Sequence, residues 1–222
     1  MEFTIFHFIF LLLKKSQISQ KIYIYKNILF SVCKKPRVDL VFVVDRSESV
    51  GSDNWEKFKE FIKDVLMQAD INDGSVRVGL IVFSTAVQIE FNLNTYSTKT
   101  DVYNAIDAIP YIDKGWTNTA AALELMRTKA FTVANGDRLD VDNVAIVLTD
   151  GLSNIDKKKT IPSANAARNE GIHIFGVGIA SGDPQELYGI SNKPSEENAF
   201  SVNDFTELQG VTEDVFTAVC GE

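Results

Sequence analysis

Apolar and polar positions along residues 38–219 follow two periods that predict strands alternating with helices. Short runs rich in Val, Ile and Leu predict strands buried on both faces, and apolar residues that recur every three or four positions predict helices. The predicted strands are 38–44, 76–84, 86–91, 143–149, 172–179 and 199–202. The predicted helices are 53–69, 98–109, 117–133, 157–169 and 204–219, with a helical turn at 183–189. This alternation predicts an α/β fold with a doubly wound, mostly parallel sheet, one antiparallel edge strand at 86–91, and helices on both faces.

The first predicted strand leads into a stretch that is rich in side-chain oxygens. The strand ends in Asp45-x-Ser47-x-Ser49, and Gly51 with the Ser52/Asp53 pair then predicts a turn and a helix N-cap. One carboxylate and two hydroxyls that point the same way suit a hard cation such as Mg2+, which prefers oxygen ligands.

Two further oxygen-bearing residues are expected at the same edge of the sheet. Ligands of doubly wound sheets bind outside the carboxyl ends of the strands. Asp150 directly follows the strand predicted at 143–149, and Thr117 lies where a loop meets a helix. Three separate loops are therefore expected to bring polar oxygens to one rim.

Three motifs, read in chain order, resemble the metal-ion-dependent adhesion site of the von Willebrand factor A-domain family. They are Asp45-Arg46-Ser47-Glu48-Ser49, Gly115-Trp116-Thr117-Asn118-Thr119 and Thr149-Asp150-Gly151. The resemblance covers about residues 38–219 and implies a domain spanning 38–220. It implies that Ser47, Ser49 and Thr117 bind the metal directly, while Asp45 and Asp150 act mostly through water. The implied ion is Mg2+, with Mn2+ or Ca2+ as alternatives, and a carboxylate of a partner would complete its coordination.

Three residues of these motifs are candidates for contact with that partner. Arg46 and Glu48 stand where the commoner motif of the family has glycine at one or both positions. Arg46 would pair with an acidic partner or be solvated, and Glu48 would add negative charge at the rim. Trp116 would either contact the partner or cover the core. The resemblance also implies that the predicted helix 204–219 would be the element that shifts between affinity states in integrin-type members.

The distribution of charge and cysteine restricts the class of partner and the compartment. Residues 38–222 hold fifteen Lys and Arg against twenty-nine Asp and Glu, which argues against nucleic acid because phosphate binding needs a basic face. Cys33 and Cys220 flank the predicted domain, whose ends are expected to lie close together. They predict a disulfide and an oxidising compartment, with two free thiols as the alternative. The flanking pair resembles extracellular-matrix members such as the matrilins and the collagens that carry A domains.

Residues 1–37 are predicted to lie outside the fold. Their apolar run at 3–13 is shorter than the roughly 20 residues that span a bilayer, and no basic segment precedes it. The segment is interpreted as a poor signal peptide, a membrane-proximal anchor or an artefact of gene prediction. Membrane contact is expected at most through this segment.

These observations favour a secreted, non-enzymatic adhesion module that engages an acidic residue of a collagen-like matrix protein or a cell-surface protein through Mg2+. The alternative is an intracellular A-domain module that scaffolds a multiprotein complex and needs no disulfide. A Mg2+-dependent phosphate-ester hydrolase is disfavoured, because the sequence shows no nucleophile with an adjacent base and no Gly-rich phosphate loop with Lys.

Overall fold

The computed structural model describes residues 37–112, 115–179 and 184–220. The strands are β1 (Val38–Asp45), β2 (Val76–Phe83), β3 (Val87–Phe91), β4 (Asp142–Thr149), β5 (Ile172–Ile179) and β6 (Ala199–Val202). The helices are α1 (Gly51–Val65), α2 (Lys99–Ala108), α3 (Thr119–Leu125), α4 (Lys157–Asn169), α5 (Gln185–Ile190), α6 (Ser195–Asn198) and α7 (Thr212–Cys220). Within these residues, no helix is long and apolar enough to cross a membrane.

The strands form one sheet in the order β3-β2-β1-β4-β5-β6. β1 lies in the middle and pairs in parallel with β2 and β4, so that Val38 lies opposite both Val76 and Asp142. β3 pairs antiparallel with β2 at one edge. The predicted fold class is confirmed, including the antiparallel edge strand.

Side chains of β1 alternate between two hydrophobic clusters, one on each face of the sheet. Phe42 and Val44 join the cluster that contains apolar residues of α1 and α7. Val41 and Val43 join the cluster that contains residues of α3 and α4. All eight residues of β1 are buried, which explains why its sequence is continuously apolar between its two aspartates.

Three helix boundaries differ from the prediction. α1 begins at Gly51 after the N-cap residue Val50, whose side chain makes no capping hydrogen bond, so the predicted cap at Ser52/Asp53 is wrong. The helix predicted at 117–133 ends as an α-helix at Leu125 and continues as a π-helix, Met126–Ala130. The last α-helix begins only at Thr212, after a 3₁₀ turn at Leu208–Val211.

The late start of α7 has a local cause. The backbone N–H of Thr206 donates to Oδ1 of Asp204 at 2.6 Å. The Asp204 carboxylate therefore stabilises a turn instead of capping an α-helix, which is the usual way in which Asp competes with helix formation.

The amino end of β1 carries a buried ion pair. Asp39 has no solvent exposure, and its two oxygens accept hydrogen bonds from Nε (2.8 Å) and from the backbone N–H (2.7 Å) of Arg138. The guanidinium also donates to the carbonyls of Val38, Gly74 and Ser75. Arg138 thus fastens the segment before β4 to the start of β1 and β2.

We predict that Asp39→Asn lowers the free energy of unfolding by about 3 to 5 kcal/mol, because it leaves a buried guanidinium without its counter-charge. Urea denaturation would measure the loss. Asp140→Asn is the control: it breaks the solvent-exposed pair with Arg37 (2.7 Å) and should leave stability nearly unchanged. Equal losses from the two variants would contradict the prediction.

Candidate metal-binding site

The candidate site lies at the carboxyl ends of the central strands and consists of three loops. The first loop (residues 45–50) follows β1, the second loop (residues 115–118) precedes α3, and the third loop (residues 149–155) follows β4. Because β1 and β4 are neighbouring parallel strands, the first and third loops leave the sheet side by side.

Asp45 forms the base of the site. Its carboxylate is completely buried; Oδ1 accepts a hydrogen bond from the backbone N–H of Ser47 (2.9 Å), and Oδ2 accepts one from the hydroxyl of Thr149 (2.8 Å). Burial raises the pKa of Asp45 to about 7, although hydrogen bonds from Ser47 and Thr149 oppose the rise. The Asp150 carboxylate adds to the rise by repulsion. A nearby cation would compensate the charge of both carboxylates.

A chain of side-chain hydrogen bonds links the first loop to the third. The hydroxyl oxygens of Ser47 and Ser49 are 3.1 Å apart, and the Ser49 hydroxyl donates to Oδ1 of Asp150 at 2.9 Å. Burial also raises the pKa of Asp150, partly offset by the bond from Ser49. Four of the five predicted ligands, Asp45, Ser47, Ser49 and Asp150, therefore lie together.

The fifth predicted ligand, Thr117, lies in the second loop, whose backbone is hydrogen-bonded to both other loops. Its N–H donates to Oδ1 of Asn154 (2.7 Å), and its carbonyl accepts from the backbone N–H of Asn154 (3.0 Å). Two residues earlier, the Gly115 carbonyl accepts from the N–H of Glu48 at 3.0 Å. That the Thr117 hydroxyl binds the metal remains a prediction.

Asn154 was missed by the sequence analysis. It lies in the third loop and orients Thr117 through a pair of hydrogen bonds. The third loop is held in turn by Glu186 of α5, whose Oε1 accepts from the backbone N–H of Ser153 at 2.7 Å. Neither residue belongs to a recognisable motif, because each acts on a loop that is distant in sequence.

The oxygens at this rim match the donor preference of Mg2+. The hydroxyls of Ser47 and Ser49 are 3.1 Å apart, and Ser49 donates to Asp150 at 2.9 Å. The hydroxyl of Thr149, the residue before Asp150, donates to the Asp45 carboxylate at 2.8 Å. Among the described residues, no cluster of three or more His, Cys, Asp or Glu could hold a metal ion. A site here would therefore depend on hydroxyl oxygens in addition to its carboxylates.

The three candidates for partner contact have different environments. Trp116 is 65% exposed and Glu48 is also exposed, so both are accessible at the rim. Arg46 is only 2% exposed: its Nη1 donates to the Pro110 carbonyl (3.0 Å) and lies 3.7 Å from Oε1 of Glu90. The expectation that Arg46 is solvated or contacts a partner is therefore wrong, because its side chain is buried and hydrogen-bonded within the domain.

Only one cysteine of the predicted disulfide belongs to the described residues. Cys220 at the end of α7 is disulfide-bonded and does not occur as a free thiol. Cys33 lies outside the described residues, as does the rest of the segment 1–36.

Comparison with known proteins defines the family. The profile of the von Willebrand factor type A domain matches residues 39–214. The chain therefore belongs to the von Willebrand factor type A domain family. The match spans all three loops of the candidate site.

Similar proteins include matrilins and a collagen chain. The chain is 32% identical to chicken matrilin-1 over 185 residues, covering 83% of this chain and 37% of that protein. It is 35% identical to the mouse collagen alpha-4(VI) chain over 184 residues, covering 82% of this chain and 8% of that protein. The chain thus spans about a third of the length of the matrilin.

A solved structure of proximal thread matrix protein 1 from the mussel byssus superimposes with a TM-score of 0.78. It is 25% identical, and the match covers 83% of this chain and 48% of that one. Its metal-ion-dependent adhesion motif is occupied by zinc. The fold of this chain is therefore one that holds a divalent cation in a relative.

We predict that Asp45→Asn stabilises the metal-free domain at pH 8. A carboxyl whose pKa rises from 3.8 to about 7 on folding lowers stability as pH increases through that interval, since the folded state binds the proton more tightly. This rise in pKa can lower the free energy of unfolding by at most about 4 kcal/mol. An amide fits the contacts, because its oxygen can accept from Ser47 N–H and Thr149 can donate to the Gly151 carbonyl instead.

Thermal unfolding in chelator at pH 4 and pH 8 would measure this effect. Between pH 4 and pH 8, the melting temperature of Asp45→Asn should decrease less than that of wild type. Asp70→Asn, at an exposed position, should show the same decrease as wild type. A variant that is less stable than wild type at pH 8 would contradict the role given to burial.

Proposed function

We propose that the domain is a non-enzymatic adhesion module that binds an acidic side chain of a partner protein through a divalent cation held at the three loops. The observation that carries the proposal is the continuous hydrogen-bonded chain from Ser47 through Ser49 to Asp150, above the buried carboxylate of Asp45. Mg2+ is the proposed ion because every donor is an oxygen, and Mn2+ or Ca2+ would share that preference.

The proposed ligands have two different roles. Ser47, Ser49 and Thr117 offer neutral hydroxyls, which leave most of the charge on the ion uncompensated. Asp45 and Asp150 supply negative charge from below and beside the ion, through water. An ion with neutral direct ligands attracts a carboxylate from outside more strongly than another water. The side chain of the partner would therefore complete the coordination.

The proposed partner is an extracellular-matrix protein such as a collagen, or a cell-surface protein. This proposal is supported by similarity to matrilin-1, to a collagen VI chain and to a thread matrix protein. The disulfide at Cys220 supports secretion, since disulfides persist mainly in oxidising compartments. It also disfavours the intracellular scaffold that the sequence left open.

We predict that Ser49→Ala weakens Mg2+ binding by about tenfold or more, because it removes a direct ligand and breaks the link to Asp150. Isothermal titration of the purified domain would measure the dissociation constant. Ser52→Ala, an exposed serine three residues further along, is the matched control and should bind as wild type does. Absence of Mg2+ binding by the wild-type domain would overturn the proposal.

We predict that Trp116→Ala weakens binding to the partner several-fold without changing Mg2+ affinity. Its exposed ring is adjacent to Thr117, and buried aromatic contacts are a common source of binding energy in interfaces. The control is Leu139→Ala, an 86% exposed apolar side chain next to Arg138, beside the amino ends of the strands.

Binding to immobilised matrix proteins, including collagens, would be measured with Mg2+ and with chelator. The wild-type signal should disappear in chelator, and the Leu139 variant should match wild type. A Trp116 variant that binds as tightly as wild type would remove this residue from the proposed interface.

A further inference from the structure

Residues 109–111, between α2 and the second loop, are fastened to the region of β1 and α1 at every position. The carbonyl of Ile109 accepts a hydrogen bond from Nε1 of Trp55 in α1 at 3.1 Å. The carbonyl of Pro110 accepts from Arg46 at 3.0 Å. Tyr111 makes the third connection through its hydroxyl. These three successive contacts join the segment to the first loop and to α1.

The Tyr111 hydroxyl joins the two ends of the serine-bearing turn. It accepts a hydrogen bond from the backbone N–H of Gly51 (2.9 Å) and donates to the carbonyl of Ser47 (2.8 Å). Ser49 lies between these two attachment points. One phenol thus uses both its donor and its acceptor to close residues 47–51 into a fixed loop.

This contact also replaces the missing helix cap. The first N–H groups of an α-helix have no hydrogen-bond partner within the helix. At α1, the side chain of the N-cap residue Val50 does not supply an acceptor. Tyr111 supplies an acceptor to Gly51, the first residue of α1. Gly51 has a φ of +73°, a conformation that glycine adopts without strain.

We infer that Tyr111 is a positioning residue for the proposed metal site, and this inference rests on the proposed function. By fixing the carbonyl of Ser47 relative to the start of α1, Tyr111 holds the Ser47 and Ser49 hydroxyls in the arrangement that a cation requires. A loop that is already ordered loses less conformational entropy when the ion binds. Removal of the hydroxyl therefore weakens metal binding although Tyr111 itself does not contact the ion.

Tyr103 offers a matched control. Its hydroxyl donates to the carbonyl of Lys63 at 2.7 Å, near the carboxyl end of the same helix α1. Tyr103→Phe and Tyr111→Phe therefore make the same chemical change at opposite ends of α1. A purely structural role predicts the same outcome for both variants, whereas a positioning role predicts different metal affinities.

The experiment measures the Mg2+ dissociation constant of wild type, Tyr111→Phe and Tyr103→Phe by isothermal titration, with thermal unfolding in chelator as the measure of folding. Tyr111→Phe should raise the constant about fivefold to tenfold, the ratio that corresponds to one hydrogen bond. Tyr103→Phe should stay within about twofold of wild type by the same relation. Both variants should keep cooperative unfolding because each retains its ring.

Three results would overturn the inference, and they are distinguishable. Mg2+ binding by wild type with an unchanged constant for Tyr111→Phe would reject the positioning role and leave the proposed function intact. Absence of Mg2+ binding by wild type would reject both. An equal loss of affinity in the Tyr103 and Tyr111 variants would assign the effect to general destabilisation of α1 and would also reject the positioning role.

Discussion

Asp45 ends the central strand with a carboxylate that is shut off from solvent, and hydrogen bonds from the first and third loops converge on its two oxygens. Burial makes the ionised form costly, as the rise in its pKa to about 7 indicates. The surrounding loops must therefore supply compensation through donors, and a cation would supply the rest. This single constraint accounts for the position of Thr149 and for the turn at Ser47.

The three loops of the site are joined pairwise. Ser49 links the first loop to the third through Asp150, and Asn154 links the third to the second through Thr117. The contact between Glu48 and Gly115 closes the circuit from the second loop back to the first. A displacement of any one loop therefore strains hydrogen bonds to both others, so the rim behaves as a unit instead of as three independent segments.

The sequence predicts those parts of the molecule that depend on local pattern. Strand β1 and its neighbours follow from continuous apolar runs, and the position of Asp45 and Asp150 at one rim follows from parallel pairing. The start of α7 and the roles of Arg46 and Asn154 do not follow. Each is decided by a competing turn or by an acceptor that is far away in sequence, such as the Pro110 carbonyl for Arg46. Polarity alone suggests that a loop arginine is solvated, but the fold provides a buried acceptor and a nearby Glu90.

The buried side chain of Arg46 bears on how freely the motif at residues 45–49 can be exchanged among relatives. Its guanidinium depends on Pro110, which follows α2, and on Glu90, which belongs to the edge strand. A chimaera that received residues 45–49 alone would bury the guanidinium of Arg46 without the carboxylate of Glu90 beside it. Exchange of this motif with its arginine therefore requires a matching acidic residue in the edge strand as well as the loop itself.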